Sequence, residues 1–134
     1  VAEPERIPAA VEELLRYEPA SRQVGRFVTE DVEWHGQTVP AGSTLLALIG
    51  AANRDDSRWD DPERFDVLRD PVSHLAFGHG IHFCLGASLA RAEARIALEE
   101  LLKRFPDWEV DDAGARLAQT STVRGYDALP IVVG

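Results

Sequence analysis

The spacing of apolar positions changes several times along the chain, and each change marks an element. Residues 8–17 carry Ala9, Ala10, Glu12, Glu13, Leu14, Leu15 and Arg16, good helix formers behind a first-turn proline, Pro8. Pro19 stops this helix. Residues 25–29 and 32–35 are short strand-like runs. Gly36-Gln37 predicts one turn and Pro40-Ala41-Gly42 a second, before the apolar run 44–49. Over residues 25–50 this pattern predicts a small antiparallel meander. Residues 51–76 are mostly polar, with Asn53, Asp55, Asp56, Asp60, Asp61, Pro62 and Asp66, and predict short helical turns and loop pinned by Trp59 and Phe65.

A glycine-punctuated loop, residues 77–86, leads into a long helix predicted over 85–105. Leu85, Leu89, Ala92 and Ile96 make one stripe at helical spacing, and Leu98, Leu101, Leu102 and Phe105 continue the apolar face until Pro106. Residues 117–134 predict a terminal hairpin with a turn at Gly125 and a final strand over 130–133. Helices beside short antiparallel strands make the fold class α+β.

Composition narrows the partners. The 134 residues suffice for one domain, and 45% hydrophobic content predicts packing rather than disorder. A net charge of −9 argues against nucleic acid, whose phosphates need a basic face. No apolar run is long enough to span a bilayer, and the start does not read as a signal peptide. One cysteine excludes an internal disulfide, so a reducing, cytoplasmic setting is expected. The chain opens on Val1 and holds no methionine, which predicts a piece of a longer protein.

That one cysteine, Cys84, lies in Phe77-Gly78-His79-Gly80-Ile81-His82-Phe83-Cys84-Leu85-Gly86, at the entrance of the long helix. A helix entrance stabilises a thiolate through its dipole and free backbone N–H groups. The stretch satisfies F-G-x-G-x-H-x-C-x-G at every fixed position, and Leu89-Ala90-Arg91 extends the match. It resembles the haem-binding loop of the cytochrome P450 family. Glu13-Leu14-Leu15-Arg16 resembles the family's E-x-x-R helix, and Pro62-Glu63-Arg64-Phe65 its P-E-R-F segment, in the same order. The resemblance covers nearly the whole chain but only the carboxy-terminal third of a family member, nearest to the soluble bacterial type.

The resemblance implies haem b as cofactor, with Cys84 as catalytic thiolate and iron ligand. Thiolate donation to haem iron favours O–O cleavage. Gly78, Gly80 and Gly86 would let backbone approach the porphyrin, and Phe77 would shield the sulfur side of the ring. Arg26 and His82 would pair with the propionates. Glu13, Arg16 and Arg64 would form a buried structural triad that fixes the strand region against the cysteine loop. Residues 21–24, Val24 included, and Thr122 and Val123 would contact substrate.

The implied activity is that of a monooxygenase acting on a small organic substrate, with a ferredoxin or flavoprotein donor docking near Arg91, Arg95, Lys103 and Arg104. The long helix with an acid–threonine pair, which activates oxygen in the family, is not found in this sequence. The remaining part of the same protein is thus an implied partner, and the piece alone is expected to be inactive. Without its own cover, the chain is expected to expose apolar helix faces and self-associate. Three other readings stay open: a non-catalytic haem-binding or remnant module, a buried structural cysteine, and a zinc site from His79, His82 and Cys84 completed by His74 or His35.

Overall fold

The computed structural model describes residues 3–69 and 73–134; the part of the predicted connecting segment at 70–72 lies outside the described residues. A short 3-10 turn, Pro4–Arg6, leads into α1 (Ile7–Tyr17). Four strands follow, β1 (Val24–Phe27), β2 (Val32–Trp34), β3 (Gln37–Val39) and β4 (Thr44–Ala47), then one helical turn, α2 (Ile49–Ala52). Beyond the turn-rich segment come a 3-10 turn at Gly80–His82 and the long helix α3 (Ala87–Arg104). The chain ends in β5 (Trp108–Val110), β6 (Arg116–Leu117), β7 (Tyr126–Ala128) and β8 (Ile131–Val133).

The strand region is not the expected meander. β2 pairs with β3 and β1 with β4, so one hairpin is nested inside the other pair. The cause is local. His35 and Gly36 both take positive φ, 49° and 75°, which is the two-residue turn that matches strand twist. The turn therefore falls one residue before Gly36-Gln37 and closes β2 on β3. That leaves β1 free to pair with β4, and hydrogen bonds between Val28 and the 42–43 backbone extend this ladder. The apolar run 44–49 is split, ending as strand at Ala47 and turning into α2.

The tail also differs. β7 pairs with β6, while the final strand β8 pairs with β5, so β7 and β8 do not form one hairpin. β5 was not expected, although Trp108-Glu109-Val110 alternates between Pro106 and Asp111. The predicted helix over 85–105 begins at Ala87 and ends at Arg104.

The core is small and lies where α1 meets the polar segment and the start of α3. Ile7, Val11, Val28, Ile49, Trp59 and Ala87 are buried, together with the polar Glu13, Arg16 and Asn53. The Tyr17 and Phe65 rings meet edge to face at 5.7 Å. The apolar stripe of α3 is mostly uncovered, with Leu89 62% and Ile96 51% exposed. No helix among the described residues is long and apolar enough to cross a membrane.

Candidate functional site

Two networks anchor α1, and both reach toward the cysteine loop. Arg16 is only 1% exposed, so its charge must be compensated. Its Nε and Nη2 donate to the Glu13 carboxylate at 2.7 and 2.8 Å. Its remaining donors go to the carbonyls of Asn53 (2.9 Å), Pro62 (2.9 Å) and Arg64 (3.1 Å). The guanidinium also lies 5.3 Å from the Trp59 ring. Burial works against a charged Glu13, yet Arg16, the Asp66 amide and Arg69 together hold its carboxyl below the usual range. Asn53 passes the network on, its Oδ1 accepting from the Leu75 amide at 2.7 Å, two residues before Phe77.

The third side chain in this network is Arg69, not Arg64. The turn that bonds the Arg64 amide to the Asp61 carbonyl directs the Arg64 side chain outward. That side chain is 66% exposed and meets Asp66 only at 3.7 Å. Arg64 contributes its carbonyl, whereas Arg69 reaches Glu13 with Nε at 3.3 Å and caps the carbonyls of Asp60, Asp61 and Arg64.

The second network was not read from the sequence. Glu12 accepts a fork from Arg91 at 2.6 and 2.9 Å. These bonds hold Glu12 below the usual carboxylate range and raise Arg91 above its own. Glu12 also bonds His74 Nε2 at 3.1 Å. The Ala76 amide donates to His74 Nδ1 at 3.2 Å, so the Nε2–H tautomer is the one that fits. Burial pushes the His74 pKa down against the pull of Glu12, so the uncharged imidazole is the form that burial favours as donor to the Glu12 carboxylate. Glu12 stands one residue from the E-x-x-R motif, and that adjacency was the only signal for it. Arg91 is thus engaged by α1 rather than free for docking. Arg95 and Arg104 also have carboxylate partners on α3, Glu99 at 3.6 Å and Glu100 at 3.0 Å.

The loop itself is set by glycine geometry. Gly78 and Gly80 take φ of 72° and 74°, which side chains disfavour. The Cys84 amide donates to the Phe77 carbonyl at 2.9 Å, closing the loop on itself. Phe77 and Phe83 meet edge to face at 6.4 Å. The Cys84 thiol is exposed. A Cβ on Gly86 would stand 3.9 Å from Cys84 Sγ, so backbone closely flanks the sulfur. Among the described residues, the N–H groups of Leu85 and Gly86 have no acceptor. Ile81 and Leu85 are almost wholly exposed beside them. In this chain the thiol is thus exposed rather than buried, and it lies beside amides without acceptors and apolar neighbours, donor chemistry that suits an iron–porphyrin ligand.

His82 ends the 3-10 turn and is exposed. Arg26 sits on β1 opposite Leu45, exposed, with Nη1 donating to the Gly25 carbonyl at 2.9 Å. No hydrogen bond or ion pair joins Arg26 to His82 or Cys84. Among the described residues no three His, Cys, Asp or Glu side chains gather as a metal site, and His74 is committed to Glu12, so the zinc reading falls. Arg22 and Gln23 do meet Thr122 and Val123 across a cleft of about 300 Å³. The Arg124 amide binds the Ala20 carbonyl at 2.7 Å beside it. Val24 lies on β1 next to that cleft, paired with Ala47.

A family model, Cytochrome P450, matches residues 6–124. The chain is 49% identical over 128 residues to the cytochrome P450 monooxygenase PikC of Streptomyces venezuelae, covering 93% of this chain and 31% of that one. It is 44% identical to cytochrome P450 107B1 of Saccharopolyspora erythraea, covering 98% of this chain and 33% of the relative. Among solved structures, P450BioI in complex with a hexadec-9Z-enoic acid ligated acyl carrier protein superposes with a TM-score of 0.93. That match has 42% identity and covers 99% of this chain and 35% of P450BioI. The chain spans about a third of the length of these curated relatives. Sequence, cysteine loop and superposition converge, and the chain belongs to the cytochrome P450 family.

Proposed function

We propose that Cys84, as thiolate, is the proximal iron ligand of haem b in a monooxygenase that inserts one atom of O2 into a small organic substrate. The observation that carries this reading is the exposed Cys84 thiol, flanked by the Gly86 backbone and by two N–H groups without acceptors. Hydrogen bonds from such amides and the entrance of α3 would hold the sulfur deprotonated. The haem supplies the oxygen chemistry. The chain's residues hold and orient it, with Cys84 at the iron, Phe77 and Gly86 beside the sulfur, and Gly78 giving the loop its bend. His82 and Arg26, both exposed cations or donors, would take the propionates. Val24, Thr122 and Val123 would border the substrate, in the region where the 22–23 segment faces the 117–125 loop.

Glu13 and Arg16 serve structure in this reading, with Arg69 taking the part expected of Arg64. Electrons would come from a ferredoxin or flavoprotein, and a cytoplasmic setting suits the single cysteine. Neither α1 nor α3 contains a threonine, so in this reading an acid–threonine pair would lie outside these helices. The exposed stripe of α3 would pack against that same remaining part. The chain by itself would hold haem weakly and oxidise nothing, which also keeps a non-catalytic haem-binding module as the second reading. Haem titration tests the proposal. The whole protein should bind one haem and give a strongly red-shifted Soret band when reduced under carbon monoxide, and this chain alone should bind far more weakly. Substrate oxidation by the purified chain would refute the claim of inactivity.

A further inference from the structure

We propose that Glu12, acting through Arg91, is a positioning residue for the cysteine loop, separate from the Arg16 network. Three consecutive contacts run from α1 to the Cys84 backbone. The Glu12 carboxylate takes both donors of one Arg91 edge, at 2.6 and 2.9 Å, which fixes the plane of the guanidinium as well as its charge. Arg91 Cζ then lies 4.7 Å from the centroid of the Phe77 ring. The Phe77 carbonyl accepts the Cys84 amide at 2.9 Å. A second arm starts from the same carboxylate. His74 donates to Glu12, accepts from Ala76, and places its ring 6.1 Å from Phe77. One carboxylate thus holds Phe77 through two partners, a cation and an imidazole.

The magnitudes separate positioning from bulk stability. Glu12 and Arg91 are each 36% exposed, so solvent screens the pair and its loss should cost the fold little. What the pair fixes is the place of one ring and, through it, one amide. Lysine in place of Arg91 keeps the charge but has neither the fork nor the plane. The effect on the loop stands by itself, while the effect on an iron ligand rests on the haem reading above.

The test uses the whole protein with Glu12→Gln and Arg91→Lys, and two readouts. Hydrogen exchange at the Cys84 amide should rise at least tenfold in both variants, with exchange across residues 49–53 of the Arg16 network unchanged. In the reduced haem protein under carbon monoxide, the red-shifted Soret band should lose intensity in both. Unchanged exchange at Cys84 in both variants would overturn the proposal. So would faster exchange that is equal everywhere, or full restoration by lysine. If the unmodified protein lacks the red-shifted band while the exchange still responds, the haem reading fails and the positioning role stands. If that band is present and neither variant alters exchange or spectrum, the reverse holds.

Discussion

The Arg16 network and the cysteine loop are built on opposite plans, although Asn53 and Leu75 connect them. The donors of Arg16 itself all find acceptors within the chain, and the residue is closed off from solvent, although the neighbouring Asn53 Nδ2 is buried without a partner among the described residues. In the loop, an exposed thiol lies beside two amides without acceptors and among exposed apolar side chains. A buried charge is stable only if its partners are permanent, so the first region has no freedom to serve a ligand. The second keeps reactive groups accessible and takes its shape from glycine turns and from contacts behind it. Fixity and reactivity are thus divided between neighbouring parts of one small fold.

The largest effect should come from opening the closed region. Arg16→Ala leaves Glu13 buried without its main partner and should cost roughly 3–5 kcal/mol, read by urea denaturation of the whole protein. A loss below about 1 kcal/mol would show that the network is not the anchor described. Next, Arg69→Ala removes a charged hydrogen bond to Glu13 and should cost about 1.5–3 kcal/mol. Arg64→Ala removes an exposed side chain and should stay within about 0.5 kcal/mol. Equal losses would return Arg64 to the triad and contradict the geometry.

Acid should separate the regions in order. Glu12, Glu13 and His74 all have folded-state pKa values below their ordinary ones, 4.5 for the carboxyls and 6.5 for the imidazole. Each therefore gives stability that is present above its ordinary value and lost as pH falls through the folded one. His74 is packed against Glu12 of α1 and Arg91 of α3, with Arg16 nearby. Unfolding midpoints should be highest above about pH 6.5, fall as His74 is forced to charge, and fall more steeply below about 4.5. A profile that stays flat from pH 7 to well below 4.5 would contradict the lowered pKa values of Glu13 and His74. The smallest effect is expected in the open region, where Leu85→Ser should change stability by no more than about 0.5 kcal/mol.

Much of this was legible in the sequence because it is local. The helix around Glu13 and Arg16, the loop glycines and the helix after Cys84 follow from spacing and from residues fixed by backbone geometry. The nested strand pairs were not, since Gly36-Gln37 and His35-Gly36 are equally good turns on composition and only the register decides. The order of the terminal strands was hidden for a related reason, because β5 and β8 pair across 20 or more residues of sequence. Arg64 and Arg69 stand five residues apart on one irregular segment, and no periodicity says which side chain turns inward. Glu12 was masked by Glu13, a carboxylate with a recognised motif around it.

The central claim is that the sulfur of Cys84 holds the iron. The most direct measurement is the absorbance spectrum of the whole haem protein, reduced under carbon monoxide, with Cys84 and with Cys84→His. A strongly red-shifted Soret band that disappears in the histidine variant is the predicted result. The same band surviving the substitution, or missing from the unmodified protein, would contradict it.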